Sequence, residues 1–329
     1  MRIDRARKLA RQWVLREGAA LPGFGGAFLT GSALWADGDA ELSPWSDVDI
    51  MAVADPPVRI GKIPYEGVLL EISAAPPLGS AHEVLSDYHL AGSFHLPCVL
   101  ADPTGRLTEL HRVVARDFAE RPWILARCTD AMDRVRGWIN GMDESAPLTD
   151  QVNAWLFGTG VTTHVLLVAG LRNPTVRNRY AAVRELLAEH GRDDYHEVLL
   201  GLLGCARLGR ERVERHLAAL EKAFDAAAGV RAPSYPFASD ISAAARPAAV
   251  GGSRELVRRG LHREAVFWVV ATYARCLAKR AAAGLTGYED EFLDLLDDLG
   301  AATFADRRHR GDRVLAALPG LWQTAMSLC

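Results

Sequence analysis

The sequence predicts an α+β protein: a small mixed β-sheet domain flanked by helices, followed by an all-helical domain. Three observations predict it. Short apolar runs bounded by Gly, Pro or Asp fall before residue 105. From Leu107 onward that punctuation gives way to Ala, Leu, Arg and Glu at helical spacing. The chain has 329 residues, 49% of them hydrophobic, which is enough apolar material for two cores. The expected division is therefore 1–105 and 106–329.

Taken in order, Ile3, Ala6, Leu9, Ala10, Trp13 and Val14 recur at helical spacing with basic residues on the opposite face, so the chain opens on an amphipathic helix. Leu21-Pro22-Gly23 and Gly25-Gly26 end it. Strands are expected over 27–30, 48–54, 68–73 and 98–101, the last closed by the turn signal Asp102-Pro103-Thr104-Gly105. Helices are expected over 107–118, 123–138, 149–171, 177–190, 195–205, 210–228, 253–280, 288–299 and 313–328. Breaks fall at Asn173-Pro174, Gly191, Gly209, Gly251-Gly252 and the proline-bearing loop 232–236.

Charge narrows the function classes. A formal net charge of -3 and the lack of a dense Lys/Arg stripe argue against duplex nucleic acid as a partner. Five scattered cysteines, none in a C-x-x-C, predict reduced thiols and a cytoplasmic protein. The apolar run 265–274 is too short to span a bilayer, and no membrane association is expected. Motifs of P-loop NTPases, Rossmann dehydrogenases, zincins and serine hydrolases are all missing.

The chemistry concentrates in Gly31-Ser32, Ser46-Asp47-Val48-Asp49-Ile50 and Glu71 within Val68-Leu69-Leu70-Glu71-Ile72. On a strand, residues i and i+2 face the same way, so Asp47 and Asp49 project together. A glutamate inside an apolar run needs a partner, and hard carboxylate oxygens suit Mg²⁺. Between Glu17 and Gly105 the only basic residues are Arg59 and Lys62, against twelve Asp and Glu. So acidic a segment holds a phosphate chain only with divalent metal and with cations from elsewhere.

These residues resemble the signature of the DNA-polymerase-β-like nucleotidyltransferase superfamily. A small α/β domain followed by a helical domain is similar to its aminoglycoside nucleotidyltransferases. The motifs cover roughly residues 27–105, under a third of the chain. The fourteen residues 33–46 between Ser32 and Asp47 exceed the family's usual spacing, and the excess is read as a loop insertion at 36–41.

The resemblance implies a nucleotidyltransferase domain at 1–105 and a helical substrate-binding domain at 106–329. It implies that Asp47, Asp49 and Glu71 are the catalytic and metal-binding carboxylates, holding Mg²⁺, and that Gly31 and Ser32 contact the phosphates. It further implies ATP or another NTP as co-substrate, with NMP passing to a hydroxyl of an aminoglycoside-like small molecule and pyrophosphate leaving. Related enzymes often complete the cleft with a second subunit, so a homodimer is compatible. Rival readings are nucleotidyl transfer to a protein or tRNA, and a nucleotide-binding protein without catalysis.

Outside that signature, Arg177 and Arg179 in the arginine-dense junction 172–180 are candidate phosphate contacts, because guanidinium forks suit phosphate; an ordinary helix start is the competing reading. Arg263 and Glu264 at a helix start, and Tyr235, Phe237 and Asp240 after the proline-rich break, are weaker cleft candidates. His82, His89, His95 and Cys98 fit no common zinc spacing, and Asp37-Gly38-Asp39 lacks the remaining ligands of a calcium loop.

Overall fold

The apolar stripe from Ile3 to Val14 is buried, and the chain opens on α1 (Ile3–Arg16) because that burial offsets the entropy of ordering the segment. In the computed structural model, which describes residues 1–329, the chain divides into two compact units, Met1–Arg127 and Cys128–Cys329.

The first unit continues through β1 (Gly26–Thr30), α2 (Gly31–Trp35), β2 (Val48–Val53), β3 (Gly61–Tyr65) and β4 (Val68–Ala75). Then follow α3 (Ala81–Ser86), α4 (Ala91–Phe94), β5 (Val99–Ala101) and α5 (Arg106–Asp117), and the division between units falls inside α6 (Arg121–Asn140). The unit extends past residue 105 because α5 buries Leu107, Leu110 and Val114 while packing on α3, α4, β1 and β5.

One five-stranded mixed sheet, ordered β3-β4-β2-β1-β5, forms the core. Strands β2 and β4 are parallel, and the other neighbouring pairs are antiparallel. Its inner strands alternate: Val48, Ile50 and Ala52 of β2, like Val68, Leu70 and Ile72 of β4, are buried, and the residues between them face the other side.

Strand β3 is an addition to the sequence expectation. Pro64 obscures it, yet proline is tolerated in an edge strand, where its missing N–H leaves no ladder bond unmade. Glu66 (φ 48°) and Gly67 (φ 83°) make the two-residue, left-handed turn that joins β3 to β4.

The long 33–46 segment also finds its reason here. Its backbone carbonyls at Ala40 and Gly38 accept the N–H groups of Ile3 and Asp4 at 2.9 and 3.0 Å, satisfying amides that the first turn of α1 leaves open. Arg7 returns from α1 to donate to the carbonyls of Ala33, Leu34 and Ala36 at 2.9, 3.0 and 2.6 Å. The insertion is a brace for α1.

The second unit is helical throughout: the remainder of α6, then α7 (Leu148–Ala169), α8 (Arg179–Glu189), α9 (Asp193–Leu203), α10 (Arg210–Ala228), α11 (Gly252–Arg258), α12 (His262–Ala281), α13 (Glu289–Asp298) and α14 (Phe304–Met326). Helices α7 and α12 form its centre, packing on each other and on most of the rest. The sequence reading treated 253–280 as one helix. The chain divides it at Arg259-Gly260-Leu261, where Gly260 takes φ 83°. Helix α7 is long and apolar enough to cross a membrane, a property the sequence reading missed, but 83% of its most apolar window is buried, as in a core helix.

Candidate metal centre

Strand register builds the site. Asp49 of β2 lies opposite Glu71 of β4; Lys62 of β3 lies opposite Glu71 from the other side; Thr30 of β1 lies opposite Asp49. Residues level with one another across a sheet share a face, so Lys62, Glu71, Asp49 and Thr30 form one row over four strands. Asp47 sits just before β2 and two residues from Asp49, and so joins the same side.

The carboxylates of Asp47, Asp49 and Glu71 converge. Their oxygens all lie within 4.8 Å of one another, and all three residues are half-buried. Three negative charges at that spacing repel strongly unless a cation joins them.

Two basic side chains meet that demand, and neither was singled out for the site from the sequence. The Lys62 ammonium bridges Asp47 Oδ2 and Glu71 Oε2, and an Arg59 guanidinium nitrogen lies 3.3 Å from Glu71 Oε1. Burial by itself would lower the Lys62 pKa. The adjacent Asp47 and Glu71 charges and their hydrogen bonds reverse that and hold it above the ordinary lysine value, so the ammonium is charged at physiological pH.

The signal was present in the chain. Arg59 and Lys62 are its only basic residues between Glu17 and Gly105. A Glu66-Gly67 two-residue turn, once recognised, sets Lys62 opposite Glu71.

Gly31 and Ser32 lie where β1 runs into α2. Gly31 has φ 65°, and a Cβ there would overlap the Asp49 carboxylate, whose Cγ would be 2.7 Å away. The Gly31 backbone therefore reaches the acidic centre only because it carries no side chain. Ser32 is exposed at the next position.

Arg177 and Arg179 both lie in the helical unit. Arg177 donates to the Ala248 carbonyl at 3.0 Å. Arg179 is 1% exposed, donates to the Val176 carbonyl at 2.8 Å and lays its guanidinium 4.0 Å from the Phe267 ring centre. Its planar, weakly hydrated head makes it a packing element of that unit.

Glu264 is buried beside His196 and Arg184, Arg263 pairs bidentately with Glu197 at 2.8 Å, and Asp240 pairs with Arg275 at 2.9 Å. Tyr235 and Phe237 have ring centres 5.9 Å apart. His82 packs edge-on against Trp123, His95 stacks on Phe118, and burial pushes the Cys98 thiol up to about 12.

The donor set fits a hard divalent cation: two carboxylates on paired strands and a third just before β2, near a backbone turn left open by glycine. No protein-family model, curated protein or solved structure matches the chain.

Proposed function

We propose that the chain is a divalent-metal-dependent nucleotidyltransferase that moves NMP, with AMP from ATP the first expectation, onto a hydroxyl of a polar small molecule such as an aminoglycoside. The convergence of Asp47, Asp49 and Glu71 beside the Gly31-Ser32 turn carries this reading. A cysteine or metal-free nucleophile site does not need three carboxylates on one cation-sized point.

Asp47, Asp49 and Glu71 would hold Mg²⁺, which when bound offsets phosphate charge and lowers the pKa of a coordinated hydroxyl. The chain's own groups do the positioning. The Gly31 turn exposes backbone to the phosphate chain, and the Ser32 hydroxyl donates to a phosphate oxygen. The acceptor oxygen forms its bond to the α-phosphorus as the bond to the bridging oxygen breaks, and that electron pair leaves with pyrophosphate. Glu71 takes the acceptor's proton or completes the cation's ligand set. An acidic segment around the site also favours a cationic acceptor.

The test is pyrophosphate release from ATP and Mg²⁺ with a panel of aminoglycosides, against a no-acceptor control. Asp47→Asn should lower acceptor-stimulated release by at least about 100-fold with the circular dichroism spectrum unchanged, because a first ligand matters more than the outer partners that already cost 10–100-fold. Equal turnover in the variant would remove the assignment.

A further inference from the structure

The acidic segment from Glu17 to Gly105 has two basic residues, and both converge on Glu71. Lys62 goes further, reaching Asp47 as well. Its side chain is only 10% exposed, so in this arrangement the ammonium it places between the carboxylates is largely shielded from solvent. The β3–β4 hairpin fixes it there by register, opposite Glu71.

We propose that Lys62 is a built-in counter-ion that occupies the convergence point of the Asp47–Asp49–Glu71 centre, so that a divalent cation binds only by displacing it. The inference rests on the metal reading above and deepens it. A hard cation approaches carboxylate oxygens to about 2.0–2.6 Å. An ammonium hydrogen-bonded to two of the same three carboxylates therefore claims the same space and the same charge. Retained in place it would stand against the entering ion, like charge on like, within a few ångströms.

The consequence is an acidic centre that stays partly neutralised and folded without metal, and a metal affinity set below what three carboxylates alone would give. Arg59 lies against Oε1 of Glu71, not the Oε2 that Lys62 holds.

Binding of Mn²⁺ alone, followed by electron paramagnetic resonance, tests this without any turnover. Lys62→Met should bind Mn²⁺ at least about tenfold more tightly than the unaltered protein, a coupling in the usual range for competing ligands. Asp49→Asn, introduced into either background, should abolish the tight site.

A second measurement needs no substitution: amine acylation read by peptide mass spectrometry. Adding Mn²⁺ should raise labelling of Lys62 several-fold, with exposed Lys8 and Lys222 unchanged as controls. Equal Mn²⁺ affinity in Lys62→Met and the parent, both dependent on Asp49, would overturn the displacement while leaving the metal centre standing. No Asp49-dependent Mn²⁺ binding in any variant would overturn both. Should Lys62→Met fail to fold, unchanged Lys62 labelling on saturation with Mn²⁺ is by itself sufficient to reject the displacement.

Discussion

Gly31 governs how closely the turn after β1 approaches β2, since its missing side chain leaves the space that the Asp49 carboxylate fills. Two separate costs attend Gly31→Ala. The left-handed backbone (φ 65°) disfavours any Cβ by about 1–2 kcal/mol. The second cost falls on function, because the new methyl displaces Asp49 from the carboxylate cluster. We expect a modest fall in the urea midpoint together with a much larger loss of Mn²⁺ affinity, at least about tenfold on the scale of lost supporting contacts. Intact Mn²⁺ binding in Gly31→Ala would show that the close approach has no bearing on the cation.

At the scale of elements, what the chain disclosed depended on whether periodicity or register carried the information. The inner strands were legible because buried runs such as Val48-x-Ile50-x-Ala52 show both their punctuation and their alternation. The shared side of Asp47 and Asp49 was legible because i and i+2 need no knowledge of pairing, whereas Glu71 joins them only through the β2–β4 register. Lys62 was not legible, since its role exists only through its partner across β4. The burial of Arg179 was equally hidden, since only the tertiary placement of Phe267 beside its guanidinium reveals it.

Helix α14 shows a cap overlooked. It begins at Phe304, well before the expected 313, and its start is a capping box, Thr303 with Asp306. The Thr303 hydroxyl accepts from the Asp306 N–H at 3.1 Å, and Asp306 accepts from the Thr303 N–H at 2.9 Å. Thr303→Ala should therefore lower stability by about 1 kcal/mol, measured by urea unfolding. A change indistinguishable from zero would mean that packing along α14 alone fixes its start.

Across the whole molecule, each unit holds a histidine whose charged form its surroundings disfavour. In the first, burial depresses the His95 pKa, and the positive Arg127 and neighbouring His111 add to it. In the second, burial again dominates for His196. Buried Glu264 and nearby Glu197 pull its pKa up, Arg184 and Arg263 push it down, and the net direction is downward.

For a group whose folded pKa lies below its unfolded value of 6.5, the unfolded chain takes up a proton that the folded chain refuses. Stability from these residues is thus fully present above 6.5 and is lost as the pH falls below it. A single site of this kind sets a slope of at most about 1.4 kcal/mol per pH unit. His196, 4% exposed, should approach that ceiling more closely than half-buried His95.

Urea midpoints measured from pH 7.5 to 5 should hold steady to about 6.5 and then decline. His196→Gln, which cannot take up a proton, should flatten part of the decline even if it lowers stability at pH 7.5. The same slope in that variant as in the parent would assign the acid sensitivity to other groups, with His95 the next to substitute.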